Sequence, residues 1–534
     1  MSLEDWFLTP EERGNPATRI DSRRGDAKAW TGGNDVRVLV HGATYFERLH
    51  TELSRLQQND WIHFTDWEGD PDERLGGPGT EIARVLQDLA SRKVHVRGLL
   101  WRSHPRQAHF SEQQNVKLVR EVNEAGGEVL LDERVLHGGS HHQKLFVLRK
   151  EAGPDGDVAF VGGIDLAYGR RDDARHEGDP QAVDLNPAYG DRPPWHDIQL
   201  EVHGPAVGDL AWTFRERWED ETPLDHRNPF RLVLRTLTRQ PRHPDPLPPV
   251  RDDPKPTGPH AVQVVRTYPR KRPPYPFAPD GERSISRAYL KAVKRARRLI
   301  YVEDQYLWSL HAARNFAAAL RDNPELHLIV VVPRYPEREG RIAAPSEMIG
   351  RLNFLEILRR AGGDRVGVYD LENVHGVPIY IHAKICVIDD VWLEVGSDNL
   401  NRRSWTHDSE LSCVILDDTR DEREPIDPAG LGDGARKLAR ETRLDLWREH
   451  LGRSEEDDGD LLDPKSGFEA WQAAAEALDA WHAGGGQGPR PPGHVRVHRP
   501  EPITGFTRIW ARAIHRQFVD PDGRPFRLRL KGDV

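Results

Sequence analysis

Ile379-Tyr380-Ile381-His382-Ala383-Lys384-Ile385-Cys386-Val387-Ile388-Asp389, followed by Val395-Gly396-Ser397-Asp398-Asn399-Leu400, is the stretch that decides how this chain of 534 residues is organised. Its pattern is that of a strand, in which residues two apart face the same side, so His382 and Lys384 project together. An imidazole beside an ammonium suits a phosphate ester. The ring can attack phosphorus or carry a proton, and the ammonium steadies charge on the phosphoryl oxygens. Asn399 can donate to those oxygens without adding charge, with Ser397 beside it as a second phosphate contact.

A second stretch repeats the pattern. Ser140-His141-His142-Gln143-Lys144-Leu145-Phe146-Val147-Leu148 leads to Phe160-Val161-Gly162-Gly163-Ile164-Asp165-Leu166. Here His142 and Lys144 share a face, Gly162 aligns with Gly396, and Asp165 takes the place of Asn399 as a phosphate-site residue, with Gly163 in support. The alternative pair, His141 and Gln143, lacks the cation.

Outward from these motifs the order of elements also repeats. Val36-Arg37-Val38-Leu39-Val40, a helical segment carrying Phe46, Leu49, Leu53 and Leu56, and Trp61-Ile62-His63-Phe64-Thr65-Asp66 match Val262-Gln263-Val264-Val265, a helical face of Ile285, Tyr289, Val293 and Ala296, and Leu299-Ile300-Tyr301-Val302-Glu303-Asp304. Ser284 is the expected N-cap of the second helix. The basic residues Lys291, Lys294, Arg295, Arg297 and Arg298 read as its solvated face. Ile62 precedes His142 by 80 positions and Ile300 precedes His382 by 82. Nearly continuous apolar strands alternating with helices predict an α/β fold. Two similar halves, each a mixed sheet flanked by helices, pack as a pseudo-twofold bilobal unit. The expected division is an N-terminal extension (1–34), a first half (35–255) ending in a proline-rich connector, a second half (256–416), and a C-terminal helical segment and tail (417–534) containing Trp510 and Phe518.

A nucleophilic imidazole needs its other ring nitrogen held by a carboxylate. Asp197 in Trp195-His196-Asp197-Ile198 and Glu410 in Asp408-Ser409-Glu410-Leu411 occupy matching places, each downstream of its own half's motif. One asymmetry stands out: Asp389 closes the second motif, whereas Arg149 stands at that place in the first. Asp155 or Asp157 is the candidate for compensation.

With these motifs in view, residues 35–416 resemble the phospholipase D superfamily, whose halves each carry an HxKxxxxD-type motif. Gly162-Gly163-Ile164-Asp165-Leu166-Ala167-Tyr168-Gly169-Arg170, Pro194-Trp195-His196-Asp197 and Tyr301-Val302-Glu303-Asp304-Gln305-Tyr306 resemble its eukaryotic-type branch. The resemblance implies hydrolysis of a glycerophospholipid to phosphatidate and a head-group alcohol, with transphosphatidylation to a primary alcohol as a second outcome. It implies His142 as nucleophile, forming a phosphohistidine, and His382 as acid and base. Lys144 and Lys384 then bind phosphate, and Asp389 supports. The alternatives are a phosphatidyltransferase of cardiolipin synthase type, a nuclease, or a catalytically silent binding protein of the same fold.

A formal net charge of -10, from 76 Lys plus Arg against 86 Asp plus Glu, opposes a nucleic acid partner. Cys386 and Cys413 lie in apolar runs and read as buried thiols. The start of the chain lacks the pattern of a secretory signal, and no apolar run is of membrane-spanning length, so a cytoplasmic or membrane-peripheral protein is expected. No clustered zinc-type ligand pattern is evident along the chain, and a His-Lys site needs no metal, so none is expected and no cofactor is implied. The expected partner is a phospholipid at a membrane surface, met by loops near Trp195 or Tyr306 to Trp308, and a monomer is compatible with the sequence.

Overall fold

The computed structural model describes residues 3–26, 28–102, 112–224, 243–337, 340 and 342–531. The first run of strands is β1 (Thr31–Val40), β2 (Trp61–Asp66), β3 (His95–Trp101), β4 (Glu128–Asp132), β5 (Leu145–Arg149), β6 (Val158–Gly162), β7 (Trp195–His196) and β8 (Ile198–His203). The second is β9 (His260–Tyr268), β10 (Glu282–Arg283), β11 (Leu299–Glu303), β12 (His327–Val331), β13 (Val366–Leu371), β14 (Tyr380–Ile381), β15 (Ile385–Ile388), β16 (Trp392–Gly396), β17 (Glu410–Asp417) and β18 (Val495–Val497).

All but β7 and β14 form one 16-stranded sheet, ordered β18-β13-β12-β11-β15-β16-β17-β9-β1-β8-β6-β5-β2-β3-β4, with β10 on the side of β9. From the antiparallel β1–β9 junction the same pairings run outward in both directions. β8, β6, β5 and β2 follow antiparallel and then β3 and β4 parallel; β17, β16, β15 and β11 follow antiparallel and then β12 and β13 parallel. The parallel strands are joined through helices, the only short route between parallel neighbours, and these helices cover the sheet.

Covering both faces makes most strands apolar throughout. One core is shared across the junction, joining Val147, Val161 and Leu200 to Val264, Ile385 and Ile415, and it is closed by Trp447 and Trp471 of the C-terminal helices. The opposite face carries two separate cores. Phe46, Leu49, Leu53 and Ile62 lie in one; Ile285, Tyr289, Val293 and Trp392 lie in the other, with Trp6 and Phe7 from the start of the chain. Cys386 and Cys413 are buried free thiols.

Several local expectations change. Ser284 is the first helical residue and not the cap; its hydroxyl bonds Glu282 and the Arg266 carbonyl. The basic face of that helix is partly paired: Lys291 meets Glu12, and Arg295 meets Asp5. These pairs fasten the N-terminal segment to the helix. Trp195 and Trp308 are buried, and Tyr306 stacks on Trp308 at 4.0 Å, so these rings are walls and not surface anchors. No helix among the described residues is long and apolar enough to cross a membrane. Large exposed apolar side chains gather instead near the end of the chain, at Phe506, Ile509, Phe518, Phe526 and Leu530.

Candidate active site

The two motifs meet where the strand sets exchange segments. β14, directly before His382, pairs in parallel with β7, directly before Asp197, and the His382 amide donates to the His196 carbonyl at 2.8 Å. On the other side the His142 amide donates to the Ser409 carbonyl at 2.9 Å. Each motif histidine is thereby laid against the carboxylate-bearing segment of the opposite set.

The carboxylate pairing is therefore crossed, contrary to the expectation that each motif uses its own downstream acid. His142 Nδ1 lies 2.8 Å from Glu410 Oε2, and His382 Nδ1 lies 2.6 Å from Asp197 Oδ2. In both cases the ring must donate from Nδ1, which leaves Nε2 with its lone pair turned to the site. The physical reason is two short contacts across the junction: the β7–β14 ladder brings Asp197 to His382, and the His141–Ser409 bridge brings Glu410 to His142.

Charges in the centre are strongly coupled. Burial and the neighbouring Lys384 push His382 down to about 3 despite Asp197, so the ring rests neutral. Burial works against ionisation of Asp197, but His382 and Lys384 hold its carboxyl below the usual range. Burial also lowers Lys384 to about 8, with Lys144 adding to the shift and Asp197 opposing it.

Lys144 Nζ lies 3.1 Å from Asp165 Oδ1, and both lysines donate to the carbonyl of their motif histidine. Asp165 is buried, yet Lys144 and Arg170 hold it ionised. An ionised carboxylate repels a phosphate, so the expected phosphate contact at Asp165 gives way to a role in holding Lys144. Ser397 is likewise redirected: its hydroxyl donates to Glu410 Oε2 and accepts from the Leu411 amide, which leaves it engaged behind the acid. Asn399 is different. Among the described residues its buried side-chain oxygen has no hydrogen-bond partner, so it is an uncommitted polar group of the centre.

Gly163 is required by close approach. A Cβ there would lie 2.5 Å from Asp197 Oδ1 and 3.3 Å from Lys384 Cδ. Asp389 stands back from the centre and accepts from the Arg297, Arg298 and Leu299 amides, fixing the turn into β11. Arg149 has no such contact; its guanidinium pairs with Asp157 at 3.0 Å, the compensation at one of the two positions the sequence suggested. The turn into β2 is instead held from the other side, where Asp60 accepts from the Gln57 and Glu151 amides. The carboxylate has changed places while the clasp between turn and strand end is kept.

A matched pair of aspartates at the ends of the central strands does not stand out from the motifs along the chain. Asp66 accepts from the Leu166 amide and Asp304 from the Leu400 amide, which fixes the loops carrying Asp165 and Asn399. The signal was present in the repeat, since both aspartates close the corresponding strand. Trp67 stands 6.1 Å from the His142 ring and Trp195 5.0 Å from the His382 ring, with Arg170 over Trp195. His141 is buried on the reverse face and meets Gln143, so the alternative pair points away.

A phospholipase D family model matches residues 80–245, and a model described as cardiolipin synthase, PLD-like domain, matches 343–423. Phospholipase D A of Dictyostelium discoideum is 28% identical over 59% of this chain and 27% of its own length. Phospholipase D2 of Bos taurus is 26% identical over 83% of this chain and 56% of its own, and phospholipase D alpha 1 of Oryza sativa 26% over 71% and 58%. The chain thus spans between about a quarter and three fifths of these relatives.

Proposed function

The chain belongs to the phospholipase D superfamily, and on that premise we propose that it hydrolyses glycerophospholipids to phosphatidate and a head-group alcohol through a phosphohistidine on His142. The single observation that carries this reading is the crossed pair of carboxylate-held histidines, each with a lysine two residues on in the segment leading into β5 or β15. Residues 35–255 and 256–416 are read as the two copies, fused through β1 and β9, with residues 1–34 as an N-terminal extension and 417–534 as a C-terminal helical segment and tail.

In this mechanism His142 Nε2 attacks phosphorus while Glu410 steadies the imidazolium that forms. Lys144, Lys384 and Asn399 stabilise the charge gathering on the phosphoryl oxygens. His382 gives a proton to the departing alcohol and then takes one from water, or from a primary alcohol in the transfer reaction. A neutral His382 at rest fits this cycle, because an arriving phosphodiester anion offsets Lys384 and raises the affinity of the ring for a proton. Asp165 positions Lys144, and Ser397 positions Glu410.

The substrate is read as a phospholipid presented by a bilayer. The helix Gly505–Ile514 supports this, with Phe506 81% and Ile509 74% exposed beside the exposed cations Arg508 and Arg512.

Release of head-group alcohol and formation of phosphatidylalcohol from mixed phospholipids test the reaction. His142→Ala and His382→Ala are each expected to lower both products by about 10³-fold or more. Unchanged turnover in either variant refutes the two-histidine mechanism.

A further inference from the structure

Directly behind Asp197 and His382 lies a second cluster of titratable groups that the proposed reaction does not use. It joins His41 after β1, His176 in the loop after β6, His196 on β7, Glu303 at the end of β11, and Glu449 with His450 on the helix Lys437–Leu451. The sequence separates these residues widely, so no ligand pattern is visible along the chain. In space, His41, His176, His196 and Glu449 each turn one ligand atom to a common point, all within 4.8 Å of one another.

The hydrogen bonds around the cluster orient its rings. His196 Nε2 and His450 Nε2 lie 2.7 and 2.8 Å from the two oxygens of Glu303, and a ring nitrogen can only donate to an ionised carboxylate. Each ring thereby turns its Nδ1 away from Glu303. Those two Nδ1 atoms are buried without hydrogen-bond partners, and they point at Glu449 Oε1 from 3.8 and 3.9 Å. His176 Nδ1 faces the Trp195 carbonyl, and its Nε2 lies 3.2 Å from Glu449 Oε1. Three imidazole nitrogens thus converge on one carboxylate oxygen. His41 Nε2 completes the ring at 2.8 Å from Glu449 Oε2.

Two of these nitrogens, on His196 and His450, have no hydrogen-bond partner. A metal ion accounts for the convergence. Tetrahedral bonds of about 2.0–2.1 Å place ligand atoms roughly 3.3–3.4 Å apart, within the range of separations seen here. Charge points the same way: among the described residues neither Glu303 nor Glu449 has a lysine or arginine partner, and a divalent cation balances the buried Glu303 and the partly buried Glu449. Burial and imidazole-rich ligation are the features of a closed, structural site for zinc or a similar ion.

We propose that His41, His176, His196 and Glu449 bind one divalent transition-metal ion of zinc type, with His450 adjoining and Glu303 as the outer carboxylate that orients His196 and His450. The ion is a positioning element and not a reactant. His196 accepts the His382 amide through its carbonyl and directly precedes Asp197, whose own carbonyl accepts the His41 amide at 2.9 Å. Metal binding thereby locks the segment that holds the acid of His382.

Metal analysis of the full-length, untagged protein, refolded with zinc and exhaustively dialysed, tests this directly. About one zinc per chain is expected, and its cobalt(II) replacement should give the intense visible absorption of a four-coordinate site with nitrogen and oxygen ligands. Glu449→Gln and His176→Gln should reduce bound zinc at least about fivefold, whereas His142→Ala should retain it, which separates this cluster from the motif histidines. Folded wild-type protein without zinc, or a folded Glu449→Gln with undiminished zinc, overturns the proposal. The wild-type stoichiometry and cobalt spectrum decide the matter even if both ligand variants fail to fold.

Discussion

Lys384 is a residue whose ionisation is set by its surroundings. Burial brings its ammonium to about 8, so below that pH it is charged and able to attract a phosphodiester, and above it the attraction is lost. The kcat/KM profile should therefore fall on the alkaline side with an apparent pKa near 8. The limb in kcat should lie higher, because bound phosphate favours the charged form. In Lys384→Arg the alkaline limb should vanish from this range even if the rate is lower, since a guanidinium stays charged. Arg149 poses the opposite question, of a family position filled by the wrong charge. Because Arg149 neutralises Asp157 and Asp60 holds the adjacent turn, installing Asp at 149 puts a further carboxylate among buried acids. Arg149→Asp should lower stability by about 3–5 kcal/mol, read from a urea midpoint, in place of restoring a lost motif. An unchanged midpoint contradicts the exchanged clasp.

At the level of elements, the two-residue ladders matter more than their length suggests. β7 and β14 contribute two register pairs, Tyr380 with Trp195 and Ile381 with His196, yet these align Asp197 with His382. Gly163, just beyond β6, leaves the space into which Asp197 fits. Gly163→Ala should push the carboxylate from the imidazole and lower kcat about 10²-fold, with KM little altered. Steady-state kinetics with the purified variant measure it, and wild-type kcat refutes this account of the glycine. The repeating strands and their approximate limits were legible from apolar runs and period. β1 nevertheless begins at Thr31, earlier than its apolar run implies, because its first residues pair with β9 and not with the core. Ser284 fails as a cap because β9 and Glu282 offer its hydroxyl buried partners.

Across the whole molecule, the added terminal segments bring contacts that the repeat does not contain. The C-terminal helices close the shared core through Trp447 and Trp471, deliver Glu449 and His450 to the histidine cluster, and then end in the exposed apolar face at Phe506 and Ile509. A fully buried side chain of this size contributes about 1.5–3 kcal/mol. Replacing both residues with Asp should weaken co-sedimentation with anionic phospholipid vesicles at least about tenfold while leaving hydrolysis of a dispersed short-chain phospholipid intact. Equal vesicle binding removes that face from membrane contact. The sequence by itself determined the two motifs, their lysines, the repeating order of elements and the identity of both acids, because strand period and matched spacing are local properties of the chain. Only the tertiary structure decided that Glu410 serves His142 and Asp197 serves His382, that Asp165 and Ser397 stand behind the reacting groups, and that His41, His176, His196 and Glu449 converge. Such choices depend on which segments cross between the two strand sets, and spacing along a chain carries no information about that crossing.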